Sequence, residues 1–192
     1  MRLEQSPPTS STKQSLEYLK KVISSCVQCP LSQGRTTAVF GEGPENAQIM
    51  FLGEAPGKDE DKKGRPFVGR SGKLFNECLL EAGIERSSVF ITNVVKCRPP
   101  QNRKPNPKEM DLCRPYLEAQ IRIIEPKVIC LLGNVATKAI LNREGVTSLH
   151  GQVFQQKFLV TLHPAAVLRN RNFKELFISD LKKARTMAEN DS

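Results

Sequence analysis

Ile49-Met50-Phe51-Leu52-Gly53-Glu54-Ala55-Pro56-Gly57 decides the fold. Four consecutive apolar residues with no polar alternation fit a strand buried on both faces. The glycine, acid and Gly/Pro turn behind them mark its end. Three more runs have the same form: Val89-Phe90-Ile91 before Thr92-Asn93, Val128-Ile129-Cys130-Leu131-Leu132 before Gly133, and Phe158-Leu159-Val160 before Thr161-Leu162-His163. Leu16, Leu19, Val22 and Ile23 carry a helical spacing ahead of the first strand. Later spacings predict helices near 71–83, with Ser71 as N-cap and Gly83 as stop, and near 109–124, 134–141 and 173–188. Strands alternating with helices imply an α/β fold, a three-layer α/β/α sandwich around a central, mainly parallel, four-stranded sheet. Ligands bind such sheets at the carboxyl ends of strands. Gly53-Glu54, Thr92-Asn93, Gly133-Asn134 and His163 all fall there.

With 192 residues, the chain can bury a single core without staples. Residues 1–14, rich in Ser, Thr, Gln and Pro, are expected to form a flexible N-terminal segment, and 15–192 one domain. No apolar run reaches the ~18–20 residues of a membrane helix. The amino terminus has no apolar core of a secretory signal, so a cytoplasmic protein without membrane attachment is expected. Lys and Arg number 29 against 20 Asp and Glu, a formal charge of +9, which makes a polyanion the first partner to consider.

Cysteines stand at 26, 29, 78, 97, 113 and 130, and a chain with no export signal calls for an explanation other than disulfides. Cys26-Val27-Gln28-Cys29 follows a helical pattern and precedes Pro30, the reverse of a thioredoxin-like arrangement. Cys97 and Cys113 form a second pair, the latter in a helix that Pro115 should disturb. Four thiolates from two distant segments suit a tetrahedral zinc ion or a cubane iron–sulfur cluster, and spacing does not choose between them. Cys78, on a helix's apolar side, and Cys130, inside a buried strand, read as core residues.

After the first strand comes the charged stretch Lys58–Lys63, then Gly64-Arg65-Pro66-Phe67-Val68-Gly69. The two glycines have the spacing of a phosphate loop, but Arg70-Ser71 replaces the required Lys-Ser/Thr and the strand ends too early, so a nucleoside triphosphatase is a poor fit. Phe67, a large aromatic in a Gly/Pro-flanked loop, is either a loop anchor or a stacking platform for a base.

GEAPG from Gly53, ED-x-x-G-x-PFVG from Glu60, TNVVKCRPP-x-NRKP from Thr92 and HPA from His163 together resemble the family 4 uracil-DNA glycosylases. The resemblance runs from about Leu16 to Leu181. It implies a monofunctional glycosylase of base excision repair, acting on uracil in single- and double-stranded DNA. It also implies a 4Fe–4S cluster on Cys26, Cys29, Cys97 and Cys113. A related clade that bonds covalently to DNA carries a histidine-containing basic insert. Arg98–Lys104 holds no histidine, so ordinary turnover is implied.

Such an enzyme extrudes its base and reads the Watson–Crick edge. A carboxamide offers a donor and an acceptor together, which matches uracil O4 and N3–H, and Asn93 is the candidate. By resemblance Phe67 stacks on the ring, Glu60 guards the C5 edge against a methyl group, and Glu54, Ala55 and Gly57 complete the uracil contacts. His163 donates to uracil O2 and stabilises the departing anion. His150 reads as structural. The better-known branch carries an Asp where Ala55 stands, so Glu54 is the nearest acid able to help place water. Lys96, Arg98, Arg103, Lys104 and Lys108 form a basic run for phosphates, with Arg98, Arg103 and Lys104 as its DNA contacts. Ala165-Ala166-Val167-Leu168-Arg169 resembles the segment that wedges into the gap left by the base, with Val167, Leu168 and Arg169 as its DNA contacts. A monomer is expected, and a sliding-clamp partner has no support in the sequence. The rival reading is a non-catalytic nucleic-acid-binding module with a structural four-cysteine metal site, which needs no leaving-group donor.

Overall fold

A computed structural model describes residues 12–190, so most of the expected flexible segment lies outside the described residues. The first described helix, α1, already begins at Thr12. In chain order the elements are α1 (Thr12–Ser24), α2 (Leu31–Gly34), β1 (Ile49–Gly53), α3 (Lys58–Lys63), α4 (Arg70–Glu81), β2 (Phe90–Asn93), α5 (Pro107–Ile124), β3 (Val128–Leu132), α6 (Gly133–Leu141), α7 (Val146–Leu149), β4 (Val153–Phe154), β5 (Phe158–Thr161), α8 (Pro164–Arg169) and α9 (Lys174–Glu189).

The sheet order is β2-β1-β3-β5-β4. Every residue of β1, β2 and β3 is buried, as their unbroken apolar runs require. The chain steps from β1 to β2 on one side, then returns past β1 to β3 on the other. Right-handed crossovers place the connecting helices of those two steps on opposite faces. Accordingly α4 packs with α8 and α9, while α5 packs with α1. The reversal of direction leaves a crevice at the carboxyl ends of β1 and β3.

The sheet has five strands, not the expected four. The fifth, β4, is two half-buried residues pairing antiparallel with β5. Gln155 and Gln156, both at positive φ, turn the chain between them. This edge strand has no apolar run and its turn lacks the usual Asn-Gly signature, so periodicity could not reveal it. The charged stretch after β1 is also regular: α3 carries Asp59, Glu60 and Asp61 in its first turn, Lys62 and Lys63 in its last, and stops at left-handed Gly64. That charge order suits the helix dipole. Helix α5 opens on a reciprocal Asn106–Glu109 capping box and runs through Pro115, which removes one of its hydrogen bonds without ending it. Pro115 and Asp111, whose carbonyl loses its partner there, both lie on the exposed side of the helix. No helix among the described residues is long and apolar enough to cross a membrane.

Candidate active site

Asn93 ends β2 directly opposite Gly53, the last residue of β1. The pairing extends past both strands, with Val94 N–H donating to Gly53 O (2.9 Å) and Val95 N–H to Glu54 O (3.2 Å). Asn93 is buried, yet its Oδ1 has no hydrogen-bond partner among the described residues. A buried polar atom without a partner is costly unless a ligand satisfies it. Beside it, Phe67 is buried with φ +49°, a left-handed conformation that is rare for a bulky residue.

Three features hold Phe67 there. Glu60 Oε1 accepts from Val68 N–H and Gly69 N–H, both at 2.8 Å, which fixes the loop immediately beyond it. Gly72 gives the loop room, since a Cβ at that position would stand 2.1 Å from Phe67 O. The ring itself leans on Phe75, centroids 5.2 Å apart. Gly53 completes the space: a Cβ there would lie 2.4 Å from Asn93 Oδ1 and 2.7 Å from Phe67 Cζ.

His163 follows β5 and caps α8, its Nδ1 accepting from Ala165 N–H at 3.1 Å. With Nδ1 an acceptor, the neutral ring must carry its proton on Nε2. Burial pushes the imidazole down to about 4, and the positive charge of Arg169 adds to this, so it is neutral near pH 7. Its ring lies 5.8 Å from that of Phe67. Gly133 backs it closely, at a φ of +87° that a side chain would resist. Burial raises Glu54 above the usual carboxylate range, and Lys104 opposes this.

Glu54, Ala55, Gly57, Glu60, Phe67, Asn93 and His163 all line one cleft of about 610 Å³. The residues expected to touch uracil are thus brought together. Ala165 and Ala166, from the wedge-like segment, also line it, as do Asn102 and Asn134, which the sequence does not mark as base contacts. Asn134 was visible as a strand-end residue; its Oδ1 accepts from Gly145 and Val146 N–H, pinning the neighbouring loop. His150 lies outside the cleft with Nδ1 3.4 Å from Asp180 Oδ2, in keeping with a structural role.

The basic segments divide. Lys104 and Arg169 line the cleft and face solvent. Arg103 also lines it, but forms a bidentate ion pair with Glu109 (2.7 and 2.9 Å) that holds this carboxyl below its usual range. Arg98 donates to Asn102 Oδ1 at 2.8 Å and reaches the cleft only through it. Two expectations need correcting. Lys96 is no phosphate contact: it is buried, and Nζ donates to Thr92 Oγ1, Asn93 O and Gln120 Oε1. Burial pulls its ammonium down to about 8, while the thiols of Cys113 and Cys97 favour the charged form. Val167 is fully buried in the core, so it does not offer a wedge to DNA, and Leu168 is half-buried. An apolar residue in a short helix packs inward or outward according to its face, which sequence order alone does not give.

At the other side of Lys96, Cys26, Cys29, Cys97 and Cys113 line one common cavity. Three donors aim at the sulfurs: Arg35 Nη1 at Cys97 Sγ (2.9 Å), Tyr116 O–H at Cys26 Sγ (3.2 Å) and Lys96 N–H at Cys113 Sγ (3.4 Å). Among the described residues, no three His, Cys, Asp or Glu side chains converge closely enough to hold a single ion. Cys78 and Cys130 are buried elsewhere, where burial raises both thiols, Cys78 to about 11.

Residues 40–183 match the uracil DNA glycosylase superfamily, so the whole sheet and the whole cleft lie within that class. Relatives sharpen this. The chain is 48% identical to the type-4 uracil-DNA glycosylase of Sulfurisphaera tokodaii, over 91% of this chain and 85% of that one. It is 41% identical to the type-4 enzyme of Thermotoga maritima (92% and 96%) and 43% to that of Archaeoglobus fulgidus (88% and 92%). The chain belongs to the type-4 uracil-DNA glycosylase family.

Proposed function

We propose that this chain is a uracil-DNA glycosylase that hydrolyses the N-glycosidic bond of deoxyuridine flipped out of DNA, releasing uracil and leaving an abasic site. The observation that carries this reading is the unpartnered, buried Asn93 Oδ1 in a cleft shared with Phe67 and His163. A pyrimidine over the Phe67 ring would present its N3–H to Asn93 Oδ1. Cytosine has an acceptor at N3 and would leave Asn93 Oδ1 unpaired, at a cost of about 1–3 kcal/mol.

As the bond from C1′ to N1 breaks, its electron pair leaves with uracil. His163 Nε2–H is the donor available to uracil O2 as that charge grows, and the ring's neutrality makes this a hydrogen bond rather than a proton transfer. The water oxygen bonds to C1′ and its proton is lost to solvent or to Glu54, whose raised pKa favours taking one up. No carboxylate stands at position 55, so dissociation is well advanced before water attacks. Glu60, with Oε1 committed to the loop, acts at the C5 edge by shaping the wall.

The four thiols, which line one cavity and face donors from Arg35, Tyr116 and the Lys96 backbone, are the proposed ligands of a 4Fe–4S cluster, a group held by four cysteine thiolates. When bound, the cluster supplies a rigid cross-link between the end of α1 and the 97–113 segment. Lys104, Arg169, Arg103 and Arg98 are the proposed phosphate contacts on single- and double-stranded DNA. The protein acts as a monomer, and its one domain, expected over 15–192, takes in all of α1 from Thr12. Incubating the iron-loaded protein with a uracil-containing oligonucleotide tests this: abasic sites form, and His163→Ala loses at least about 100-fold in single-turnover rate. Intact substrate with the wild-type protein refutes the proposal. A Glu54→Gln rate within about threefold of wild type removes Glu54 from the mechanism, since general bases contribute ~10²–10⁴.

A further inference from the structure

Lys96 is 1% exposed, and its ammonium donates only to uncharged oxygens: Thr92 Oγ1 (2.7 Å), the Asn93 carbonyl (2.7 Å) and Gln120 Oε1 (2.6 Å). Thr92 Oγ1 and Gln120 Nε2 both bond Phe40 O, so the network closes without a carboxylate. A fully buried cation without a counter-ion is costly. No carboxylate is among its partners, and the acidic groups adjoining this residue are the thiols of Cys97, next in the chain, and Cys113, which faces its backbone N–H. Its backbone N–H points at Cys113 Sγ, the residue forms part of the lining of the four-thiol cavity, and the next residue is Cys97 itself.

We propose that Lys96 is the internal counter-charge of the cluster bound by the four thiolates, and that its bond to the Asn93 carbonyl ties that centre to the base pocket. This rests on the reading of the four thiols as cluster ligands. Lys96 touches neither substrate nor the reacting atoms, so it is a positioning residue. Lys96 belongs to one short segment that has Asn93 at the cleft and Cys97 at the cavity, and its ammonium holds the Asn93 carbonyl. Losing the negative charge on one side leaves the cation uncompensated, and the carbonyl that gives way is that of the residue reading the base.

The test uses iron-loaded protein and two readouts independent of activity: the rate of iron loss to a chelator and the cluster's midpoint potential. Lys96→Met removes the charge and keeps the volume. Iron loss at least tenfold faster and a more negative potential are expected, because less positive charge favours the oxidised cluster. Gln120→Glu instead places a carboxylate on Nζ; it gives up the donor to Phe40 O, which Thr92 Oγ1 still serves, and leaves the bond to Asn93 O in place. It shifts potential and iron loss in the same direction, with uracil excision within threefold of wild type. Wild-type potential and iron retention in both variants overturn the proposal. So does a Lys96→Met chain that fails to fold, if Gln120→Glu behaves as wild type. A wild-type protein that purifies without iron overturns the cluster reading itself, and this inference with it.

Discussion

Gly53→Ala isolates the shape of the base pocket from everything else in the fold. The backbone there is in no region that only glycine favours, so alanine strains nothing by its conformation. Its methyl carbon would stand 2.4 Å from Asn93 Oδ1 and 2.7 and 2.9 Å from the Phe67 ring. Real contacts of this kind begin near 3.0–3.4 Å, so the carboxamide must retreat by about 0.6–1 Å. Phe67 has little room to yield, being held by the Glu60 bonds and by Gly72. A misplacement of ~1 Å costs up to ~100-fold in rate, so single-turnover excision of uracil should fall by about 10- to 100-fold. Gly34→Ala, where nothing lies within 4 Å, is the matched control. Rates come from quenched-flow sampling with saturating enzyme, and iron content and thermal unfolding report the fold. A folded, iron-loaded Gly53→Ala protein within threefold of wild type would refute the pocket as described.

Other consequences are open to measurement. His163, held down to about 4 when folded, is protonated first in the unfolded chain. Its burial therefore lowers stability as pH falls from 6.5 toward 4, and wild type should lose up to about 2 kcal/mol relative to His163→Gln between pH 7 and 5. Parallel denaturation curves at both pH values would contradict this. Glu60→Gln keeps an acceptor for Val68 and Gly69 and should retain stability and rate. Glu60→Leu leaves both N–H groups unpaired and should cost about 1–3 kcal/mol in denaturant titrations, with slower excision. Affinity for DNA should fall steeply with salt, and Lys104→Ala or Arg169→Ala should each reduce the log–log slope by ~1; an unchanged slope removes that residue from the phosphate contacts.

The sheet was legible because its central strands are buried on both faces and so leave unbroken apolar runs. The strand ends then placed Asn93 and His163 at one crevice by rule. Phe67 was legible as an oddity, a phenyl group in a loop of glycine and proline. What holds it at positive φ was not, because the Glu60 bonds and the clearance at Gly72 are three-dimensional. Lys96 read as one charge in a basic run because residue type says nothing about direction: four residues later than Thr92, it folds back under β2. Val167 misled for a related reason, since both sides of α8 carry small apolar residues and only packing decides which face is wet. The Arg103–Glu109 pair was hidden because the acid lies just beyond the run.

The cap that His163 gives to α8 limits what its ring can do. A nitrogen held by the amide of Ala165 is closed to water, and the other nitrogen offers only a hydrogen. The ring can therefore steady a departing base but not deprotonate an attacker, and the two halves of the hydrolysis must be served by different groups. Exchanging those duties would demand unwinding the first turn of α8, so in this protein a choice of tautomer is written into the integrity of six residues of backbone.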